Sequence, residues 1–153
     1  MKRFFAPLQL PLSLDLVLLL MRIVCGIGFI IFGWPKIQHP FTWMEPTRTP
    51  GFLQLLAAIS EFCGGIALIA GLFTRLAAFG ITCTMLVAVY MLAFVYHAPF
   101  VSMTGGIGYV LPSILLITAL LFLVAGPGKF SLDRLLFGNG SVKSRTMYYG
   151  GSI

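Results

Sequence analysis

Four unbroken apolar runs, each close to the length of a bilayer crossing, constrain this chain more than any motif does. The first fills residues 14–32 and closes on Gly33-Trp34-Pro35; the second follows Pro50-Gly51 and covers 52–73. The third covers 76–96, and the fourth, 107–125, stops at Gly126-Pro127-Gly128. At about 1.5 Å per residue, roughly 20 helical residues cross the hydrocarbon core. In lipid only helices and closed barrels satisfy their own backbone groups, and continuous rather than alternating apolarity selects helices. Only 9% of the 153 residues are charged, whereas soluble domains carry about 25%. The expected fold is all-α, an integral membrane four-helix bundle. Its parts are a cytoplasmic N-terminal segment 1–13, a membrane domain 14–137 and a flexible cytoplasmic tail 138–153. Within the domain the expected spans are 14–34, 52–73, 76–97 and 107–125, with a short surface helix at 131–137.

Charge supplies the orientation. The net charge of +6 comes from scattered residues, not from the clustered patch that nucleic acid requires. One side would carry Lys2, Arg3, Arg75, Lys129, Arg134, Lys143 and Arg145, the other only Lys36 and Arg48. The positive-inside rule then places both termini in the cytoplasm. The proline-rich first loop, with Trp34, Phe41 and Trp43, falls at the outer interface. Thr74-Arg75 leaves so short a turn that spans two and three must be antiparallel neighbours. The basic start followed by apolar residues imitates a signal peptide. Asp15 and Arg22 interrupt it and no small-x-small cleavage site follows, so it reads as a retained span.

Two ionisable residues fall well inside spans, Arg22 in the first and Glu61 in the second. Each costs at least about 2.5–3.5 kcal/mol at a helix centre when unpaired. Both are therefore expected to face the bundle interior, and to face each other. Arg22 would lie about 12 Å and Glu61 about 18 Å above the same membrane face, a gap an arginine side chain can narrow. Gly26 and Gly33 on one helix, and Ala57, Ala58, Gly64 and Gly65 on the other, would permit close approach. Such a pair is either a structural tie between helices or a catalytic, proton-handling or ligand-gripping site.

Lys36 ends the first span, where it either snorkels to the headgroups or attracts an anionic substrate. Arg75 reads as a topology determinant. His39 and His97 read as interfacial residues, and the tyrosines as packing and belt residues. Cys25, Cys63 and Cys83 lie in apolar runs without metal-like spacing, and the seven methionines are dispersed. No metal site is expected.

Several short motifs occur in a fixed order along the spans. Arg22, Gly26, Phe29, Gly33 and Lys36 form R-x-x-x-G-x-x-F-x-x-x-G-x-x-K. Glu61-Phe62-Cys63-Gly64-Gly65 follows, then Gly71-Leu72-Phe73-Thr74-Arg75, then Gly126-Pro127-Gly128-Lys129-Phe130-Ser131-Leu132-Asp133. In this the chain resembles the DoxX family of small bacterial membrane proteins over residues 14–137. The resemblance implies a four-helix bundle in the cytoplasmic (inner) membrane. It also implies kinship with the small subunit of a thiosulfate:quinone oxidoreductase and with thiol and oxidative-stress systems. Family members often carry an acidic residue after the glycine pair that opens the fourth span. Here Gly105-Gly106 is followed by Ile107, Gly108 and Tyr109.

Three functions stay open on this reading. The first is a membrane subunit of a quinone-linked redox system acting on sulfur compounds or thiols, with quinone as the candidate cofactor. The second is a non-enzymatic accessory or assembly subunit of a larger membrane complex, or a homo-oligomer. The third is transport of a small solute or lipid. The expected surroundings are the lipid bilayer and membrane partners.

Overall fold

A computed structural model describes residues 11–44, 49–103 and 105–137. Positions 1–10 of the N-terminal segment, Arg48 and the tail 138–153 lie outside the described residues. The described chain is all helical: α1 Leu12–Gln38, α2 Gly51–Ala70, α3 Thr74–Tyr90, α4 Val110–Ala125 and α5 Leu132–Phe137. A π turn, Met91–Val95, carries α3 onward, so that the apolar segment Thr74–Val95 has 22 residues. Three helices are thus long and apolar enough to cross a membrane, and α4, at 16 residues, is a shorter apolar helix.

The helices differ from the sequence expectation mainly at their ends. α1 runs through Pro35 to Gln38 rather than stopping at the Gly33-Trp34-Pro35 signal. Proline lacks an N–H and crowds the carbonyl one turn back, so the last turn of α1 forms without that hydrogen bond. α4 begins at Val110, after a loop in which Val110 and Tyr109 donate backbone hydrogen bonds to Phe100 and Pro99. The α2–α3 turn is as tight as its sequence suggests. Gly71 takes the left-handed conformation at φ 66° and closes α2 with hydrogen bonds from its N–H to Ala67 and Leu68, an arrangement glycine enters without a Cβ clash.

The helices pack in chain order, α1 on α2, α2 on α3 and α3 on α4. Their core joins Leu18, Phe29, Leu68, Ala78, Ile81, Met85, Ala119 and Phe122. The seam between α1 and α2 is made by glycine. A β-carbon on Gly65 would stand 2.7 Å from the Gly26 carbonyl oxygen, and one on Gly33 would stand 2.7 Å from the Phe62 nitrogen. Gly64 faces the other way, against Ile81 of α3. Close backbone approach of this kind gives helices dispersion contacts that lipid cannot match.

The polarity of the bundle is the reverse of a soluble protein's. Leu20, Val24, Ile31, Phe52, Leu76, Leu86, Ile117 and Val124 are exposed, while Asp15, Arg22, Gln54, Glu61, Thr74, Thr118 and Asp133 are buried. Apolar surface facing outward and polar groups facing inward suit a hydrocarbon solvent. Thr82, Ser113 and Thr118 satisfy their hydroxyls on carbonyls one turn back.

Candidate functional site

Arg22 and Glu61 are both buried, at 1% and 3% exposure, but they are not partners. The expected pairing is corrected on both sides. Glu61 binds Lys36, whose Nζ stands 2.6 Å from each carboxylate oxygen. Arg22 donates from Nη2 to the carbonyl of Phe130.

The reason lies in the direction helical side chains take. They lean toward the N-terminus of their own helix. In the antiparallel α1–α2 pair, Arg22 therefore leans toward the start of α1, and Glu61 leans toward the start of α2, away from it. The Lys36 side chain leans back down α1 and meets Glu61 instead. The seam agrees: Gly33 is level with Phe62, next to Glu61, whereas the Arg22 guanidinium lies against Gly71, beyond the end of α2. Depth counted from the helix starts placed the two residues within reach because it left out these opposing leans.

The Lys36–Glu61 pair closes one end of the bundle. Glu61 is fully enclosed, but the Lys36 side chain remains 23% exposed. Its ammonium stands 4.6 Å from the centroid of the Trp43 ring, within cation–π range. Trp43 is itself held in place, donating its indole N–H to the Gln54 carbonyl at 3.0 Å. The Gln54 side chain accepts from the Met44 N–H and donates to the Thr49 carbonyl, tying the first loop to α2. Trp34 stacks at a tilt on Phe62, with ring centroids 5.7 Å apart. The result is a partly exposed cation on a buried carboxylate, with the Trp43 indole over the cation.

The opposite end is closed by the segment from Gly126 to Asp133. Asp15, buried at 1%, accepts the Lys129 N–H at 3.0 Å and pairs with the Lys129 ammonium at 3.2 Å. Arg22 holds the Phe130 carbonyl. Asp133 accepts from the N–H groups of Phe73 and Thr74 at 2.7 and 2.9 Å, capping α3 from a distant segment. Its own N–H returns a bond to the Gly71 carbonyl. This arrangement supports the left-handed Phe73, at φ 48°, a conformation that costs about 1–2 kcal/mol without glycine. Ser131 accepts from the Arg134 N–H and starts α5, as an N-cap serine should.

Arg75 donates to the Val124 carbonyl at 3.3 Å, so it satisfies one of the open carbonyls at the end of α4. Sequence reasoning singled out Arg22, Glu61, Lys36 and Arg75, but missed the roles of Asp15 and Asp133. The interruption of an apolar run by Asp15 and the acidic residue after Ser131-Leu132 were the available signals. His39 caps α1, and His97 takes a positive φ of 50°. Among the described residues no group of three or more His, Cys, Asp or Glu is placed to hold a metal.

An outward-apolar helical bundle with charges tied internally at both ends is an integral membrane protein. The DoxX family model matches residues 17–98. Inner membrane protein YqjF of Escherichia coli K12 is 34% identical over 127 residues, covering 80% of this chain and 93% of that protein. The chain belongs to the DoxX family and is a multi-pass protein of the bacterial inner membrane. No solved structure matches it.

Proposed function

We propose that this chain is a membrane subunit of a quinone-linked redox system acting on sulfur compounds or thiols, with the quinone headgroup met at the Lys36–Glu61 end. The supporting observation is that Glu61 is buried while its partner Lys36 stays partly exposed under Trp43. A quinone supplies two-electron chemistry: two thiolates become a disulfide and release two electrons, which with two protons convert quinone to quinol. The residues present fit the headgroup of such a molecule. Lys36 offers an N–H donor to a carbonyl oxygen, Trp43 offers a ring face, and Glu61 holds the ammonium in place and can exchange a proton across it. Electrons enter from a partner protein or from the sulfur donor at the membrane surface. The charge bias supports an orientation with both termini in the cytoplasm, which places Lys36 and Glu61 toward the outer leaflet.

The test compares membranes carrying equal amounts of wild type, Lys36→Met and Glu61→Gln protein. Quinone reduction by a thiol or thiosulfate donor should rise with wild type and fall by roughly tenfold or more in both variants. A purified protein that neither binds a short-chain quinone nor changes quinone turnover in membranes sinks this reading.

A second reading, an accessory subunit without chemistry of its own, is favoured by one feature. Both oxygens of Glu61 are already taken by Lys36, which suits a structural tie between α1 and α2. Gentle-detergent purification then yields the chain in fixed ratio with a larger membrane protein, and both variants lose that partner without any change in quinone binding.

A further inference from the structure

The Arg22 end holds more hydrogen-bond donors than its own acceptors use. Arg22 spends Nη2 on the Phe130 carbonyl, yet its Nε and Nη1 are buried with no hydrogen-bond partner among the described residues. The Thr74 hydroxyl, on a residue with no exposed surface, has no partner either. Buried donors left unmade cost about 1–3 kcal/mol each, more when charged. Both residues border the α2–α3 turn. The guanidinium Nη1 lies against Gly71, where an added β-carbon would come within 2.5 Å of it. The Gly71 carbonyl receives the Asp133 N–H, and Thr74 is the first residue of the 17-residue α3.

The anion that occupies this junction is the chain's own. The Asp133 carboxylate takes the N–H groups of Phe73 and Thr74 in the manner of an oxyanion at a helix N-terminus, with Arg22 as the nearby positive charge. The carboxylate directs one oxygen to each of those amides, and neither the free Arg22 nitrogens nor the Thr74 hydroxyl hydrogen-bonds to it. A tetrahedral oxyanion has further oxygens for the Arg22 and Thr74 donors. We propose that the α2–α3 turn, with Arg22 and Thr74, is a binding site for a small oxyanion of the sulfate or phosphate type, and that Asp133 is its built-in competitor. Release of the Gly126–Asp133 segment uncovers the site; closure fills it. The site lies at the opposite end of the α1–α2 seam from Lys36 and Glu61, so it stands or falls apart from the quinone reading.

The test uses the full-length protein in detergent, titrated with sodium sulfate against chloride of matched ionic strength. Asp133→Asn should bind sulfate saturably and roughly tenfold or more tightly than wild type, since the competing charge is gone. Adding Arg22→Gln to Asp133→Asn should weaken that binding by a further factor of roughly ten or more. Absence of saturable sulfate binding in Asp133→Asn overturns the proposal, as does binding unchanged by Arg22→Gln. Should Asp133→Asn fail to fold, wild type decides the matter. Saturable, sulfate-specific shifts of the Phe73 and Thr74 backbone amide resonances support the site, and their absence at every sulfate concentration the folded protein tolerates overturns it. A phospholipid headgroup carries the same chemistry as a free oxyanion. Repeating the titration in phosphatidylcholine and phosphatidylglycerol nanodiscs separates the two: sulfate binding weakened by phosphatidylglycerol assigns the site to the headgroup, and equal binding assigns it to the soluble anion.

Discussion

The Lys36 end and the Arg22 end of the α1–α2 seam both bury charge, but they compensate it differently. At the first, a side-chain cation meets a side-chain anion across the seam, and the cation keeps a partial path to solvent. At the second, each charge is answered by backbone: Arg22 by the Phe130 carbonyl, Asp133 by two amides of the α3 start, Asp15 by the Lys129 amide as well as its ammonium. The Lys36 end is therefore suited to exchange partners, whereas the Arg22 end is a lock whose parts come from the first helix, the α2–α3 turn and the segment after α4. The difference predicts where substitutions will hurt folding and where they will hurt activity instead.

The sharpest way to break the comparison is Asp133→Ala. It frees two amide donors at the α3 start, leaves left-handed Phe73 unsupported and strips Arg22 of its neighbouring negative charge. The expected loss is about 2–4 kcal/mol, read as a shift in reversible unfolding in mixed micelles. A loss near zero would mean that water replaces the cap fully and that the lock is no lock. Gly65→Ala should follow at about 2 kcal/mol, because the atom its β-carbon would meet, the Gly26 carbonyl oxygen at 2.7 Å, is helix backbone. Gly28→Ala is the control, since nothing lies within 4 Å of a β-carbon there; it should be neutral or slightly stabilising.

Much of this was legible in the sequence, and what was not has a common cause. Long apolar runs announce helices in lipid, Gly26, Gly33 and Gly65 announce a close seam, and Arg22 and Glu61 announce buried charge. These are properties of single elements. Which charge meets which depends on the relative lean and offset of two helices, and Lys36 was near enough to Glu61 in depth only because α1 continues through Pro35. Asp133 was harder still. Its cap on α3 joins residues about 60 positions apart, and no periodicity or local capping pattern carries such a contact.

At the Lys36 end the two partners should not be equivalent. Lys36→Met leaves an enclosed carboxylate without its cation, whereas Glu61→Gln leaves an ammonium that can extend toward the headgroups. Lys36→Met should therefore be the more destabilising by about 1 kcal/mol, while both lower the proposed quinone turnover by roughly tenfold or more. Equal stability losses would show that Lys36 is as confined as Glu61 and would weaken the case for an exchangeable site.

A smaller effect belongs to Lys129, whose charged end is a partly exposed component of the lock. Lys129 is 34% exposed along its side chain, and its ammonium is only one of two ties to Asp15. Lys129→Ala removes the ion pair but keeps the backbone N–H that donates to the other carboxylate oxygen. The expected cost is about 0.5 kcal/mol, further reduced at high salt. Asp15→Ala removes both ties and leaves the Lys129 amide without its acceptor, so it should cost two to three times as much, about 1–1.5 kcal/mol. If the two variants unfold alike, the side-chain pair rather than the backbone bond anchors this segment, and the Arg22 end resembles the Lys36 end more closely than the geometry implies.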